Sequence, residues 1–221
     1  ILSQLVQAGQ PAVEYWIVEP SPARRAWQER TLGDHVSRVR WFAREEDLPP
    51  FEGIVFANEL LDALPRQRLG WDAALSEWFE WGVEWGEDRF AWVRLAHPWA
   101  SAQPPTPEGG PATGAARLLA LPPELLALLP DGFSLELCPA ASRWWASMAE
   151  RLREGVLMTI DYGLEWEDFF HPGRAQGTLR SYRQHRLVAD VLADPGEQDI
   201  TGMVDFSELR RIGEQSGLAT I

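Results

Sequence analysis

G-I-V-F-A-N-E-L-L-D-A-L-P, Gly53 to Pro65, is the stretch on which the fold turns. Its apolar run, Ile54-Val55-Phe56-Ala57, suits a buried strand. The run breaks at once into Asn58, Glu59 and Asp62. Open α/β sheets bind ligands just beyond the carboxyl ends of their strands. A strand that ends in an amide and two carboxylates is therefore a candidate site.

The sequence before it supplies the rest of a βαβ pattern. Tyr15 to Val18 reads as a strand that stops at Glu19. Ser21 suits an N-cap and Pro22 the first residue of a helix that runs to Leu32, with Gly33 as its stop. Val36 to Phe42 reads as the next strand, followed by the charged turn Arg44-Glu45-Glu46-Asp47. Ile1, Leu2, Leu5 and Val6 have helical spacing that ends at Gly9. Alternating strands and helices predict a parallel sheet in an α/β fold.

After Pro65 the texture changes. Arg68 to Leu95 carries Trp71, Trp78, Phe79, Trp81, Trp85, Phe90 and Trp92, with Gly86-Glu87-Asp88 as a hairpin turn. An antiparallel, Trp-rich insertion is expected there, mainly as packing and with partner-protein binding as the rival. Ser101 to Gly114 reads as a Pro- and Gly-rich loop. Pro122 to Leu129 reads as a short helix, Phe133 to Leu137 as a strand, and Ala140 to Glu154 as an amphipathic helix stopped by Gly155. Val156 to Ile160 reads as a second buried parallel strand, ending in Asp161, Tyr162 and Gly163. Gly177 to Tyr182 is strand-like and Pro195-Gly196 a turn. Asp205 opens a capping box for a helix through Gln215.

Composition narrows the function. The 221 residues are 45% hydrophobic, enough for one good core. No apolar run approaches the roughly 18 residues of a membrane span, and the opening residues lack a secretory pattern. The net charge of −13 argues against nucleic acid as the main partner. It would suit a basic peptide or an arginine side chain, though many enzymes are simply acidic. The one cysteine, Cys138, rules out an internal disulfide, fits a reducing compartment, and is expected to be buried and inert. His35, His97 and His171 lack metal-site spacing, so no metal is expected.

Six ordered segments carry a resemblance: V-E-P-S-P (Val18 to Pro22), A-N-E-L-L-D-A-L-P (Ala57 to Pro65), I-D-Y-G (Ile160 to Gly163), G-T-L-R-S-Y (Gly177 to Tyr182), P-G-E-Q-D-I-T (Pro195 to Thr201) and V-D-F-S-E-L (Val204 to Leu209). Together they closely resemble the MidA-type S-adenosylmethionine-dependent methyltransferases, whose relatives include a mitochondrial arginine-methylating assembly factor. The resemblance implies a Rossmann-like methyltransferase sheet with an insertion: a core half over 1–65, the insertion or lid over 66–135, and a second core half over 136–221. It implies S-adenosylmethionine as cofactor and a protein arginine as acceptor. It fits a bacterial cytoplasm or, in a eukaryote, the mitochondrial matrix, and is compatible with a homodimer. The family's glycine-rich first turn would fall before Ile1 and its last two strands after Ile221, so a fragment is expected. The chain has Met203 where the family usually has histidine.

The site follows from the same match. Glu19 would accept hydrogen bonds from the ribose hydroxyls, or is simply a strand-end carboxylate. Asn58 and Glu59 would lie where donor and acceptor meet. Two carboxylates, Glu59 and Asp62, can pair with a guanidinium fork and take up its proton; both also suit a helix N-terminus. If Glu59 opens a helix, the two share one side of its first turn. Asp161, Tyr162, Tyr182, His185, Asp199 and Thr201 are candidate substrate-binding residues. Rivals are methylation of a small molecule and a non-catalytic assembly module that keeps the fold.

Overall fold

Punctuating residues fix the first segments as expected. The computed structural model describes Gln4, Ala8, Gly9 and residues 13–96 and 114–221. The chain divides into two units, residues 1–53 with 150–155 and residues 54–149 with 156–221.

In the first unit, β1 (Tyr15–Val18) and β2 (Val39–Phe42) pair in parallel, Tyr15 opposite Val39 and Val18 opposite Phe42. A parallel pair needs a crossover, and α1 (Pro22–Leu32) provides it. The Ser21 hydroxyl accepts the Arg24 N–H at 3.3 Å, and Gly33 ends the helix at φ 51°. Gly33 to Arg38 then forms a 3-10 helix, so β2 starts at Val39 rather than Val36. The Val39 N–H still closes that helix on Val36 O, which holds the chain coiled until pairing with β1 begins.

Two strands run from the first unit into the second. β3 (Phe51–Asn58) and β8 (Leu152–Ile160) are hydrogen-bonded neighbours. Gly155 has φ 140°, and a Cβ there would overlap Gly53 O, so the pair requires glycine at this crossing. The expectation that these strands are buried is corrected. Ile54 is 72% exposed, and Phe56, Val156, Met158 and Ile160 are also exposed, while Ala57 is buried. The pair stands as a two-stranded sheet, and among the described residues nothing covers those five side chains.

In the second unit, β4 (Gln67–Asp72), β5 (Glu77–Gly86), β6 (Arg89–Arg94) and β7 (Ser134–Leu137) form an antiparallel sheet in the order β6-β5-β4-β7. Glu87 and Asp88, at φ 47° and 65°, make the two-residue turn between β5 and β6. The sheet takes in β7 and so runs across the expected boundary at 135. Leu69, Trp71, Trp78, Phe133 and Leu135 fill its buried face, closed by Leu118 of α2 (Gly114–Leu119). After α3 (Pro123–Leu126) and β7, α4 (Pro139–Arg151) ends earlier than its apolar spacing suggests. Leu152, Arg153 and Glu154 leave the helix to begin β8, and Gly155 lies inside the strand rather than stopping the helix.

A second cluster joins Leu61, Ala141, Val204 and Leu209. Leu209 comes from α5 (Phe206–Gln215), where the Asp205 carboxylate caps by accepting the Glu208 N–H at 3.0 Å. β9 (Gly163–Leu164) pairs in parallel with β13 (Val204–Asp205), and β10 (Arg180–Arg183) lies between β11 (Arg186–Val188) and β12 (Asp199–Thr201). The opening helix from Ile1, the loop 101–113 and His97 lie outside the described residues.

Candidate active site

The chain leaves β3 at Asn58, which is exposed, and reverses at Glu59. Glu59 has φ 47°. A side chain in this left-handed region costs roughly 1–2 kcal/mol, and such residues cluster at functional sites. The conformation is fixed from both ends. The Glu59 N–H donates to Ile160 O at 2.8 Å, and Leu61, with no exposed surface, anchors the loop in the second core cluster.

Asp161 organises the loop from the end of β8. Its Oδ2 accepts the N–H groups of Leu61 and Asp62 at 2.9 and 3.4 Å, and its Oδ1 accepts the Tyr162 N–H at 2.9 Å. No helix opens at Glu59. The left-handed residue and the Asp161 cap leave a single turn, closed by the Leu64 N–H on Leu61 O at 3.4 Å before Pro65. The two carboxylates therefore differ: Glu59 is exposed, whereas Asp62 is 5% exposed. Burial raises the Asp62 pKa above its ordinary 3.8, and Asp161 and Glu59 add to the rise, against Arg66 and the Ala63 N–H.

Arg66 ties this loop to the far end of the sequence. Its guanidinium donates to Leu61 O and Asp62 O at 3.1 Å each, to Gly202 O at 2.6 Å and to Met203 O at 2.9 Å. The Gly202 N–H donates to Asp62 O at 3.1 Å. A Cβ on Gly202 would lie 2.7 Å from Arg66 Nε, so only glycine fits there. The Met203 N–H donates to Thr178 Oγ1 at 3.3 Å. Met203 thus contributes main-chain groups alone to these bonds, and its departure from the family's histidine leaves them intact.

A buried pair supports the same region. Glu136 accepts from Arg68 at 2.6 Å and from the Thr178 N–H and hydroxyl at 2.6 and 2.9 Å. Gly177 has φ 76°, and a Cβ there would overlap the Glu136 carboxylate. The G-T of the Gly177 segment is thereby a cradle for a buried charge. Arg66, Glu136 and Gly202 escaped the sequence reading because each has a partner far along the chain: Arg66 bonds the carbonyls of Gly202 and Met203, 136 and 137 residues away, and Glu136 bonds Arg68 and Thr178, 68 and 42 residues away; a lone arginine directly after Pro65 was the one local hint.

Beside the loop lies a cleft of about 370 Å3, lined by Asp62, Arg66, Glu80, Trp81, Trp92 and Thr201 among others. Thr201, opposite Arg180 in the β10–β12 register, thus joins Asp62. Asp199 lies opposite Tyr182 on the same strand pair. Tyr162 is exposed, and its carbonyl accepts the Val204 N–H at 2.8 Å. His185 sits with Gln184 in the left-handed turn between β10 and β11, and among the described residues no hydrogen bond joins it to Glu59. His171 Nδ1 accepts the Gly173 N–H at 3.1 Å and so caps its own turn. Cys138 is half-buried, its thiol 3.6 Å from Pro65 O.

Glu19, in the first unit, accepts the Ser21 N–H on Oε1 at 2.8 Å and Gln28 Nε2 on Oε2 at 3.3 Å. Each oxygen keeps a free lone pair, which fits a carboxylate that receives a diol. Asn58, exposed at a strand end, offers both a donor and an acceptor. Taken singly, Glu19 fits a ribose diol and Asn58 a polar amino-acid tail.

An α/β fold with parallel pairs, an antiparallel insertion and polar groups at its strand ends defines a Rossmann-like methyltransferase class. The family described as "Putative S-adenosyl-L-methionine-dependent methyltransferase" matches residues 1–221, and the chain belongs to it. The chain is 30% identical over 203 residues to the mitochondrial protein arginine methyltransferase NDUFAF7 homolog of Drosophila melanogaster, covering 86% of this chain and 39% of that one. The human NDUFAF7 is 37% identical over 82 residues, 36% of this chain and 17% of its own. A solved superfamily member from Burkholderia thailandensis, bound to S-adenosyl-homocysteine, is 33% identical with a TM-score of 0.77, covering 98% of this chain and 51% of that one. A native structure from the same organism gives 32% and 0.79. The chain thus spans about half or less of the length of these relatives. Among the described residues no helix is long and apolar enough to cross a membrane.

Proposed function

We propose that this chain carries the catalytic core of a methyltransferase whose acceptor is an arginine of a partner protein. The observation that supports this most is the unequal pair of carboxylates on one short loop: exposed, left-handed Glu59 and buried Asp62. The arginine-methyltransferase names of the relatives point the same way.

S-adenosylmethionine would supply an electrophilic methyl group; Asn58 and Glu59 would hold its amino-acid part, and Glu19, in the first unit, is by its own geometry a ribose acceptor. The protein's task is alignment and charge stabilisation. A guanidinium is cationic and weakly nucleophilic. Glu59 offers it a bidentate acceptor that fixes the plane of the fork and aims one nitrogen. Methylation leaves a surplus proton on that nitrogen. Asp62 is the better acceptor for it, since burial and its two acidic neighbours raise its proton affinity. Asp161 holds the loop rather than the acceptor, and Arg66 holds its carbonyls.

The test uses the full-length protein. Glu59→Gln keeps the shape and removes the charge. It is expected to retain S-adenosylhomocysteine binding by titration calorimetry and to lose methyl transfer to arginine-containing acceptors by about 100-fold or more. Transfer within a few-fold of the unmodified protein would remove Glu59 from this role. Absence of S-adenosylhomocysteine binding at millimolar ligand would remove the enzyme reading altogether.

A further inference from the structure

The cleft beside the loop has an unusual balance of hydrogen-bonding groups. Two arginines line it, but their terminal N–H groups are bonded elsewhere. Arg66 gives its terminal N–H groups to four carbonyls, while its buried Nε has no hydrogen-bond partner among the described residues. Arg68 pairs with Glu136 at 2.6 Å and bonds Gln176 O at 2.9 Å. Trp81 Nε1 donates to Ser134 Oγ at 3.3 Å. The acidic side chains are in the opposite condition. Asp62 and Glu80 both line the cleft, and neither forms an ion pair among the described residues. The cleft therefore presents spare acceptors, with the terminal donors of Arg66 and Arg68 and the indole N–H of Trp81 already engaged.

Its walls suit a flat cation. Trp81 and Trp92 flank the opening from β5 and β6. Arg68 already lies over the Trp92 ring, 5.0 Å from its centroid, so this rim accepts a guanidinium against an aromatic face. The volume of about 370 Å3 is ample for an arginine side chain.

We infer that this cleft is the acceptor channel: it takes the side chain of an arginine on a partner protein, with Trp81 as its stacking wall, Glu80 as the entry carboxylate and Asp62 where the channel meets the loop that carries Glu59. The inference rests on the arginine reading above and adds a specificity surface that belongs to the insertion rather than to the methyltransferase sheet. It explains why the Trp-rich sheet follows directly on the loop that carries Glu59 and Asp62. Arginine is preferred over lysine because a planar fork stacks on indole while satisfying a carboxylate, which an ammonium cannot do as well.

Two measurements on the full-length protein separate this inference from the reading it rests on. The first titrates N-acetyl-arginine amide and follows the indole N–H signals by NMR, with N-acetyl-lysine amide as control. Saturable shifts of the Trp81 and Trp92 signals are expected, stronger for arginine. Trp81→Leu and Glu80→Gln should each weaken binding about tenfold. Shifts elsewhere, or none at tens of millimolar, would overturn the channel. The second measures methyl transfer to an arginine-containing peptide. Both variants should raise KM about tenfold, with kcat within about threefold and S-adenosylhomocysteine affinity unchanged. Transfer that proceeds with unaltered KM in both variants overturns the channel and leaves the arginine reading standing. Absence of transfer to any arginine peptide by the unmodified protein overturns both. Two variants are used because both positions are half-buried, and a folding defect in one leaves the other informative.

Discussion

Glu59 holds two properties that pull against each other. Its charge is wanted at the strand end, yet its backbone, at φ 47°, is one that glycine occupies more easily. Substitution can separate the two. Glu59→Gly and Glu59→Ala both remove the carboxylate, but only glycine relieves the backbone. The glycine variant is expected to be more stable than the alanine variant by about 1 kcal/mol in urea denaturation, with both inactive. Equal stabilities would mean that the left-handed turn is not held in solution. The polar cluster itself was legible in the sequence, because an amide and two acids interrupt an apolar run. The turn was not. Nothing in Asn58-Glu59-Leu60 announces a positive φ; it arises from Ile160 O on one side and buried Leu61 on the other.

The elements divide by how local their signals are. α1 was legible to the residue because Ser21, Pro22 and Gly33 act on their own neighbours, and so was the β5–β6 turn. The end of α4 was misjudged. Leu152-Arg153-Glu154 suit a helix, but the strand neighbour of β8 overrides that preference. α5 was again legible from its capping box, and its cap carries a pH dependence that no pattern shows. Burial pushes the Asp205 carboxyl from 3.8 to about 6, against the pull of Arg117 and the Glu208 N–H. The folded chain then holds this proton to higher pH than the unfolded chain does. Its contribution to stability is full below the ordinary value of 3.8 and is lost as pH rises through about 6. Asp205→Asn, which still caps, removes the effect. The stability difference between the unmodified chain and Asp205→Asn should fall by on the order of 2 kcal/mol from pH 4 to pH 7. A flat difference would show that Arg117, 2.9 Å away, keeps the carboxylate ionised throughout.

For the whole molecule, class and cofactor were legible because the ordered motifs sit at strand ends and turns. The exposure of the central strands was not, since an apolar run reads as buried whatever stands beside it. Ile54, Phe56, Val156, Met158 and Ile160 form one uncovered apolar face, of a kind monomers seldom expose. The 221-residue chain is expected to bind an apolar fluorescent dye there, and Ile54→Lys with Met158→Lys should reduce the signal severalfold without lowering the unfolding temperature. An unchanged signal would place the dye elsewhere. Arg66 has a consequence for the order in which the molecule is made. Its guanidinium takes two carbonyls from its own neighbourhood and two from Gly202 and Met203, 136 and 137 residues later. On a ribosome, residues 59–66 emerge long before those carbonyls exist. Contacts of such separation form late, after their loop-closure entropy has been met. The hydrogen bonds that complete the acidic loop thus close only once Gly202 and Met203 have been made, so this loop is among the last parts of the segment to set.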